Sequence, residues 1–112
     1  MAKVVITETL EEEINKRFKQ GSVEIFSLLR TLEDNPKKGK EISVVGKVLI
    51  KEIKYKKFRF YFITDGYKIK FLKSEEIKDL LIKFVRMSEK KDQQKTIEEI
   101  KHILRSLGEE GF

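Results

Sequence analysis

Lys54, Arg59, Lys68 and Lys70 surround Tyr61 in the run Lys54 to Lys70. Ammonium and guanidinium groups set around an aromatic ring and hydroxyl are suited to an anion, a phosphodiester above all, because a guanidinium matches phosphate geometry with paired donors. Arg59 poses the sharpest question, since it stands between Phe58 and Phe60 where apolar residues would pack without cost.

Side chains of a strand alternate between the two faces of a sheet. Asp65-Gly66 is a strong two-residue hairpin signal. It predicts that Phe62 faces Ile69 and Phe60 faces Phe71 across a hairpin. One face would then carry Phe58, Phe60, Phe62, Ile69 and Phe71, and the other Arg59, Tyr61, Ile63, Lys68, Lys70 and Leu72. The preceding segment, Val48 to Tyr55, pairs with this strand through a tight loop at Lys56-Lys57. That register sets Lys54 opposite Arg59, Ile53 opposite Phe60 and Glu52 opposite Tyr61, and turns Lys51 toward the core side. Like charges directly opposite cost up to about 1 kcal/mol. The Lys54–Arg59 pair therefore calls for an outside anion or for Glu52. The alternative is a solvated face of long side chains. The Phe face reads as core and the Arg59 face as a partly open basic surface.

The charge along the chain points the same way. Residues 37–73 hold 12 cations against 3 anions, net +9, whereas the 112-residue chain as a whole is +6. A concentrated basic surface suits phosphate backbones or acidic proteins. The chain has no cysteine, so neither a disulfide framework nor a thiolate zinc site is expected. With His102 the single histidine, neither a metal site nor a cofactor is expected, and His102 falls off the apolar stripe of its helix. No apolar run reaches the roughly 18 residues that span a membrane. The N-terminus lacks a signal-peptide pattern, so the cytoplasm is the expected compartment.

These groups need a scaffold. The length suits one domain, residues 1–112, with one core. A short strand around Val4 to Ile6 precedes a helix with Leu10, Ile14 and Phe18 on one stripe, for which Thr9 and Glu12 form a capping box. Gly21 closes it and Ser22 caps a second helix with Ile25, Leu28, Leu29 and Leu32 in line, stopped by Asn35-Pro36. The sheet runs from about Ile42 to Leu72. The segment from Ser74 reads as a short helix or as the lead-in to a strand, Leu81 to Ser88. Asp92 caps a last helix with Ile97, Ile100, Ile103, Leu104 and Leu107 on one stripe, ended by Gly108. The expected class is α+β in the order β-αα-βββ(β)-α, a helical hairpin packed on one face of an antiparallel sheet. The last helix either leaves the other face open or partly shields it.

This order, with several local strings, resembles the RelE/ParE toxin superfamily and its HigB-like branch over nearly the whole chain. "LEDNPKKGKEI" is similar to the family's helix end and loop before the first sheet strand. "KEIKY" resembles its Glu-Leu-Arg strand, with Glu52 and Lys54 in place, and "KFRFYFITDG" resembles its Tyr-Arg strand, with Arg59 at the family arginine. "FVRMSEKKDQQKTIEEIKHIL" is similar to its Phe-x-Lys-Lys segment, with Lys90 and Lys91 at the lysine pair. Lys73 to Ile82 is extra relative to that pattern, and no histidine stands near the last strand.

The resemblance implies a toxin of a toxin–antitoxin pair, a ribosome-dependent and metal-independent endoribonuclease that cuts messenger RNA. Its partners would be an antitoxin protein, the ribosome and the message. Arg59, Lys54 and Arg86 are the implied catalytic cations. Lys56, Lys57, Tyr61, Lys68, Lys70, Lys90 and Lys91 are the expected RNA-binding residues, with Tyr61 or Tyr67 stacking on a base. Two alternatives stay open: a non-catalytic ParE-like or degenerate toxin, and a plain basic nucleic-acid-binding module.

Overall fold

The structure, a computed structural model, describes residues 1–112 apart from the Ser74 side chain. The chain runs β1 (Lys3–Ile6), α1 (Glu8–Phe18), α2 (Ser22–Arg30), β2 (Lys40–Val45), β3 (Val48–Tyr55), β4 (Phe58–Asp65), α3 (Gly66–Phe71), β5 (Leu81–Glu89) and α4 (Gln93–Leu107). The strands form one sheet in the order β1-β5-β4-β3-β2. It is mixed rather than antiparallel throughout, because β1 runs parallel to β5. A strand followed by a helical hairpin must return to the sheet through a long connection, and such connections permit parallel pairing.

The β3–β4 hairpin has the register expected from its loop, with Lys54 opposite Arg59, Ile53 opposite Phe60 and Glu52 opposite Tyr61. The two-residue turn survives although lysine is a poor turn former, with Lys56 at φ +53°. Alternation then divides the side chains. Phe60, Phe62, Ile53 and Leu49 join Phe84 and Ile82 of β5 under Leu10, Ile14, Ile25 and Leu29 of the helical hairpin. Ile50, Tyr61, Ile63 and Val85 meet Ile97, Ile100 and Leu104 of α4 on the other face. Helices thus lie on both faces. The α4 stripe that sequence periodicity shows is what closes the second face.

Several expectations are corrected. Asp65-Gly66 is not a hairpin turn. Gly66 is absent from the positive-φ residues, and the Asp65 carboxylate instead accepts from the backbone N–H groups of Tyr67 (2.9 Å) and Lys68 (3.0 Å), starting α3. The place beside β4 goes to β5, which offers Phe84 and Met87 to Phe62 and Phe60 and extends the buried Phe layer. Lys68 and Lys70 therefore lie on a helix, not on the sheet face with Arg59, and Phe71 leaves the Phe layer for solvent. The cap of α1 is Thr7, not Thr9, and Ser22 is the first residue of α2 rather than its cap. Arg59 is buried rather than open, for the reason given next.

Candidate anion site beside Arg59

Each strand feeding the site is irregular at one point. The β2–β3 register shifts between Glu41 and Ser43, and β2 begins at Lys40, opposite Glu52. Ile53 to Tyr55 of β3 therefore have no strand on that side. The gap is a cavity of about 440 Å³ lined by Leu28, Lys38, Gly39, Lys40, Glu52, Ile53, Lys54 and Arg59. Gly39 is needed there: at φ +105°, a Cβ on it would meet the Glu52 carbonyl oxygen and the Phe62 ring at 3.1 Å. The close approach of this residue is what brings Lys38 and Lys40 to the mouth. On the opposite flank, Val85 has no partner between Tyr61↔Arg86 and Phe62↔Phe84. Such a bulge re-aims neighbouring side chains, and here it turns Val85 into the second core.

Arg59 is 7% exposed. Its stem lies in the sheet between Lys54 and Ser88, the residues opposite it on β3 and β5. Its Nη1 donates to the Phe58 carbonyl oxygen at 3.3 Å. Neither Arg59 nor Lys54 has an ion-pair partner within 4.0 Å among the described residues. A guanidinium held this deeply without a carboxylate is costly, and an anion entering the cavity would offset that cost. Glu52, also buried, is the one acid lining the cavity; its Oε2 accepts from Gln93 Nε2 at 2.9 Å, at the start of α4.

Beneath these groups Tyr61 is fully buried, and its hydroxyl shares a 2.8 Å hydrogen bond with that of Ser88. Burial pushes the Tyr61 phenol above its usual value of 10.0, and the Ser88 hydrogen bond pulls it part of the way back. Its ring packs in the second core with Ile97, Ile100 and Leu104 and is not presented to a base.

The structure brings Lys54 and Arg59 together and sets Lys56 and Lys57 at the adjoining turn. Lys57 is partly neutralised by Glu89 at 3.5 Å. Lys90 lies next to that turn through a backbone hydrogen bond to the Lys57 carbonyl at 3.2 Å, and Lys91 follows it, exposed. Arg86 is engaged elsewhere. Its Nε donates to Glu99 Oε1 at 2.8 Å and its guanidinium stacks 5.2 Å from the Phe112 ring centre. Arg86 and Arg17 also pull down the Glu13 carboxyl, which burial raises on balance. Lys68 and Lys70 lie past the far end of the β3–β4 hairpin, where Lys70 pairs with Glu41 at 3.9 Å. Lys38, Lys40 and Ser88 join the site without a signal in the sequence, because their placement depends on where β2 starts and on the β5 bulge.

Family models, curated proteins and solved structures give no match to this chain. Among the described residues no helix is long and apolar enough to cross a membrane.

Proposed function

We propose that the chain is a RelE/ParE-type toxin that engages an RNA phosphodiester in the cavity beside Arg59 and cleaves messenger RNA on the ribosome. The observation that carries this reading is Arg59 itself, nine-tenths buried, facing Lys54 and with no carboxylate within 4.0 Å among the described residues. The β-αα-βββ order and the strings around Lys54 and Arg59 support it as resemblance.

In this reading the nucleophile comes from the RNA. The 2′-hydroxyl attacks the adjacent phosphorus, and the bond to the 5′-oxygen breaks, leaving a 2′,3′-cyclic phosphate and a 5′-hydroxyl. Glu52, oriented by Gln93, accepts the 2′-hydroxyl proton. Lys54 supplies the proton that the departing 5′-oxygen needs. Arg59 stabilises the charge that builds on the phosphoryl oxygens, and its pre-set position means little reorganisation during reaction. Lys38, Lys40, Lys90 and Lys91 hold flanking phosphates. An antitoxin would neutralise the protein by covering this basic strip.

Two observations favour a non-catalytic second reading: Glu52 is tied to Gln93, and His102 is exposed on α4 rather than lining the cavity. A cell-free translation reaction with the purified protein separates the two. Under the first reading, message ends mapped by primer extension appear on ribosomes, and Arg59→Ala slows the single-turnover rate by about 100- to 1,000-fold, the usual loss for one electrostatic donor. Glu52→Gln slows it while RNA retention persists. RNA retained with every message intact would select the second reading. A wild-type protein that neither retains RNA nor slows translation would remove both.

A further inference from the structure

At the other end of β3, and on its other face, two cavities share Lys70. The first, of about 250 Å³, is lined by Val44, Gly46, Lys47, Gly66, Tyr67, Lys70 and Phe71. It is mainly apolar: Tyr67 is 65% and Phe71 70% exposed, and Val44 is about half exposed beside them. The second, of about 320 Å³, is lined by Lys37, Glu41, Lys51, Ile69 and Lys70. It holds three ammonium groups to one carboxylate.

Lys51 is the unusual member. It is 3% exposed and has turned inward over the Phe62 ring, 5.8 Å from its centre. One of its three donors is satisfied, by the Lys37 carbonyl oxygen at 3.0 Å. Burial lowers its pKa, Glu41 raises it in part, and Lys37 lowers it further. The only ion pair in this group is the loose 3.9 Å contact of Lys70 with Glu41. Large exposed apolar side chains rimmed by charge mark interaction surfaces.

We propose that this face, built by α3 and the β2 edge, docks an acidic amphipathic segment of a partner protein, with apolar side chains against Val44, Tyr67 and Phe71 and a carboxylate received by Lys37, Lys51 and Lys70. Charge complementarity selects that occupant. A second copy of this chain would oppose Lys47, Lys68 and Lys70 to themselves across a two-fold axis. An RNA strand would need open stacking platforms, but the Tyr67 and Phe71 rings lean on each other, 5.0 Å apart and 41° from parallel. The apolar half of the surface lies away from the Arg59 cavity: Val44 pairs with Leu49, five residues from Lys54, or roughly 17 Å along the strand at about 3.4 Å per residue. The carboxylate-receiving half is nearer, Lys37 and Lys51 being chain neighbours of Lys38 and Glu52, which line that cavity. It does not depend on the nuclease reading.

Panning a random-peptide phage library against the whole protein tests this. Recovered sequences should combine carboxylates with aliphatic or aromatic residues. Made as fluorescein-labelled peptides, they should lose about tenfold or more in affinity to Phe71→Ala and to Lys70→Glu, as central anchors do, and should weaken with salt. Lys54→Ala should bind them normally. These positions are exposed, and circular dichroism confirms that the variants fold. The proposal is overturned by a panel that ignores both substitutions, or by one without acidic residues. It is equally overturned by a uridine oligonucleotide whose binding Phe71→Ala abolishes, or by a concentration-dependent dimer that Phe71→Ala dissociates.

Discussion

Arg59 shows how one side chain can be stabilising for function and costly for the fold. An open Arg59 would matter little to stability, whereas the buried one carries a desolvation penalty with no carboxylate within 4.0 Å among the described residues to offset it. Arg59→Met keeps the apolar stem and removes the charge. It should be neutral or stabilising by about 1 kcal/mol in urea denaturation, while RNA retention falls; a loss above about 2 kcal/mol would mean that unseen partners hold the guanidinium. Tyr61 gives a second prediction at this scale. Its phenol is raised above 10.0 by burial, so above that pH the unfolded chain binds fewer protons than the folded one and stability falls as pH rises. Tyr61→Phe should cost about 1 to 2 kcal/mol at neutral pH, because Ser88 loses its partner. It should also flatten the loss of stability as pH rises above about 10. Lys51, lowered by burial, pushes stability the other way in that range, so the difference between wild type and variant isolates the phenol. Parallel denaturation curves at all pH values would contradict the assignment.

At the scale of elements, the segment after β4 is the instructive one. Asp65-Gly66 carries the composition of a hairpin turn, yet the same aspartate is an equally good helix N-cap. Asp65→Ala should cost about 1 kcal/mol, within the usual range for a lost cap, and should raise amide exchange in Tyr67 to Phe71 without altering the Lys54–Arg59 pair. Unchanged exchange in α3 would show that Ile69 packing alone, and not the cap, holds it. The neighbouring β3–β4 register was legible from the short loop at Lys56-Lys57 and the every-second-residue spacing of Phe58, Phe60 and Phe62, since a one-residue slip would have put Phe60 and Phe62 on the wrong face. The β2 and β5 registers were not legible, because each carries an irregularity, after Glu41 and at Val85, that no residue type announces.

For the whole molecule, one sheet serves two cores. Phe60 is buried under the helical hairpin, and Ile100 of α4 is buried against the opposite face of the sheet, both fully. Phe60→Ala should cost about 3–5 kcal/mol and Ile100→Ala about 2–5 kcal/mol, as for other large-to-small core changes. Because β4 faces both clusters, either change should move one shared unfolding transition. Separate transitions seen by near-ultraviolet and far-ultraviolet circular dichroism would show that α4 folds independently. The net +9 of residues 37–73 also sets a salt dependence. RNA affinity should fall linearly on a double-logarithmic plot, and Lys54→Ala should reduce the slope by about 0.7, the amount for one single-strand phosphate contact. An unchanged slope would place Lys54 away from the RNA.

The α+β class, the helical hairpin with its Leu10, Ile14, Ile25 and Leu29 stripe, the pairing of Lys54 with Arg59 and the concentration of charge in residues 37–73 follow from periodicity, spacing and composition. These are local properties, fixed by neighbours along the chain. Which strand lies beside β4, that Tyr61 and Arg59 are covered, that Lys68 and Lys70 leave the Arg59 face, and that Lys38, Lys40 and Glu52 meet around a cavity were decided by tertiary structure. Leu81–Glu89 holds the place beside β4 and buries Ile82, Phe84, Val85 and Met87 there, and Gly66–Phe71 forms α3.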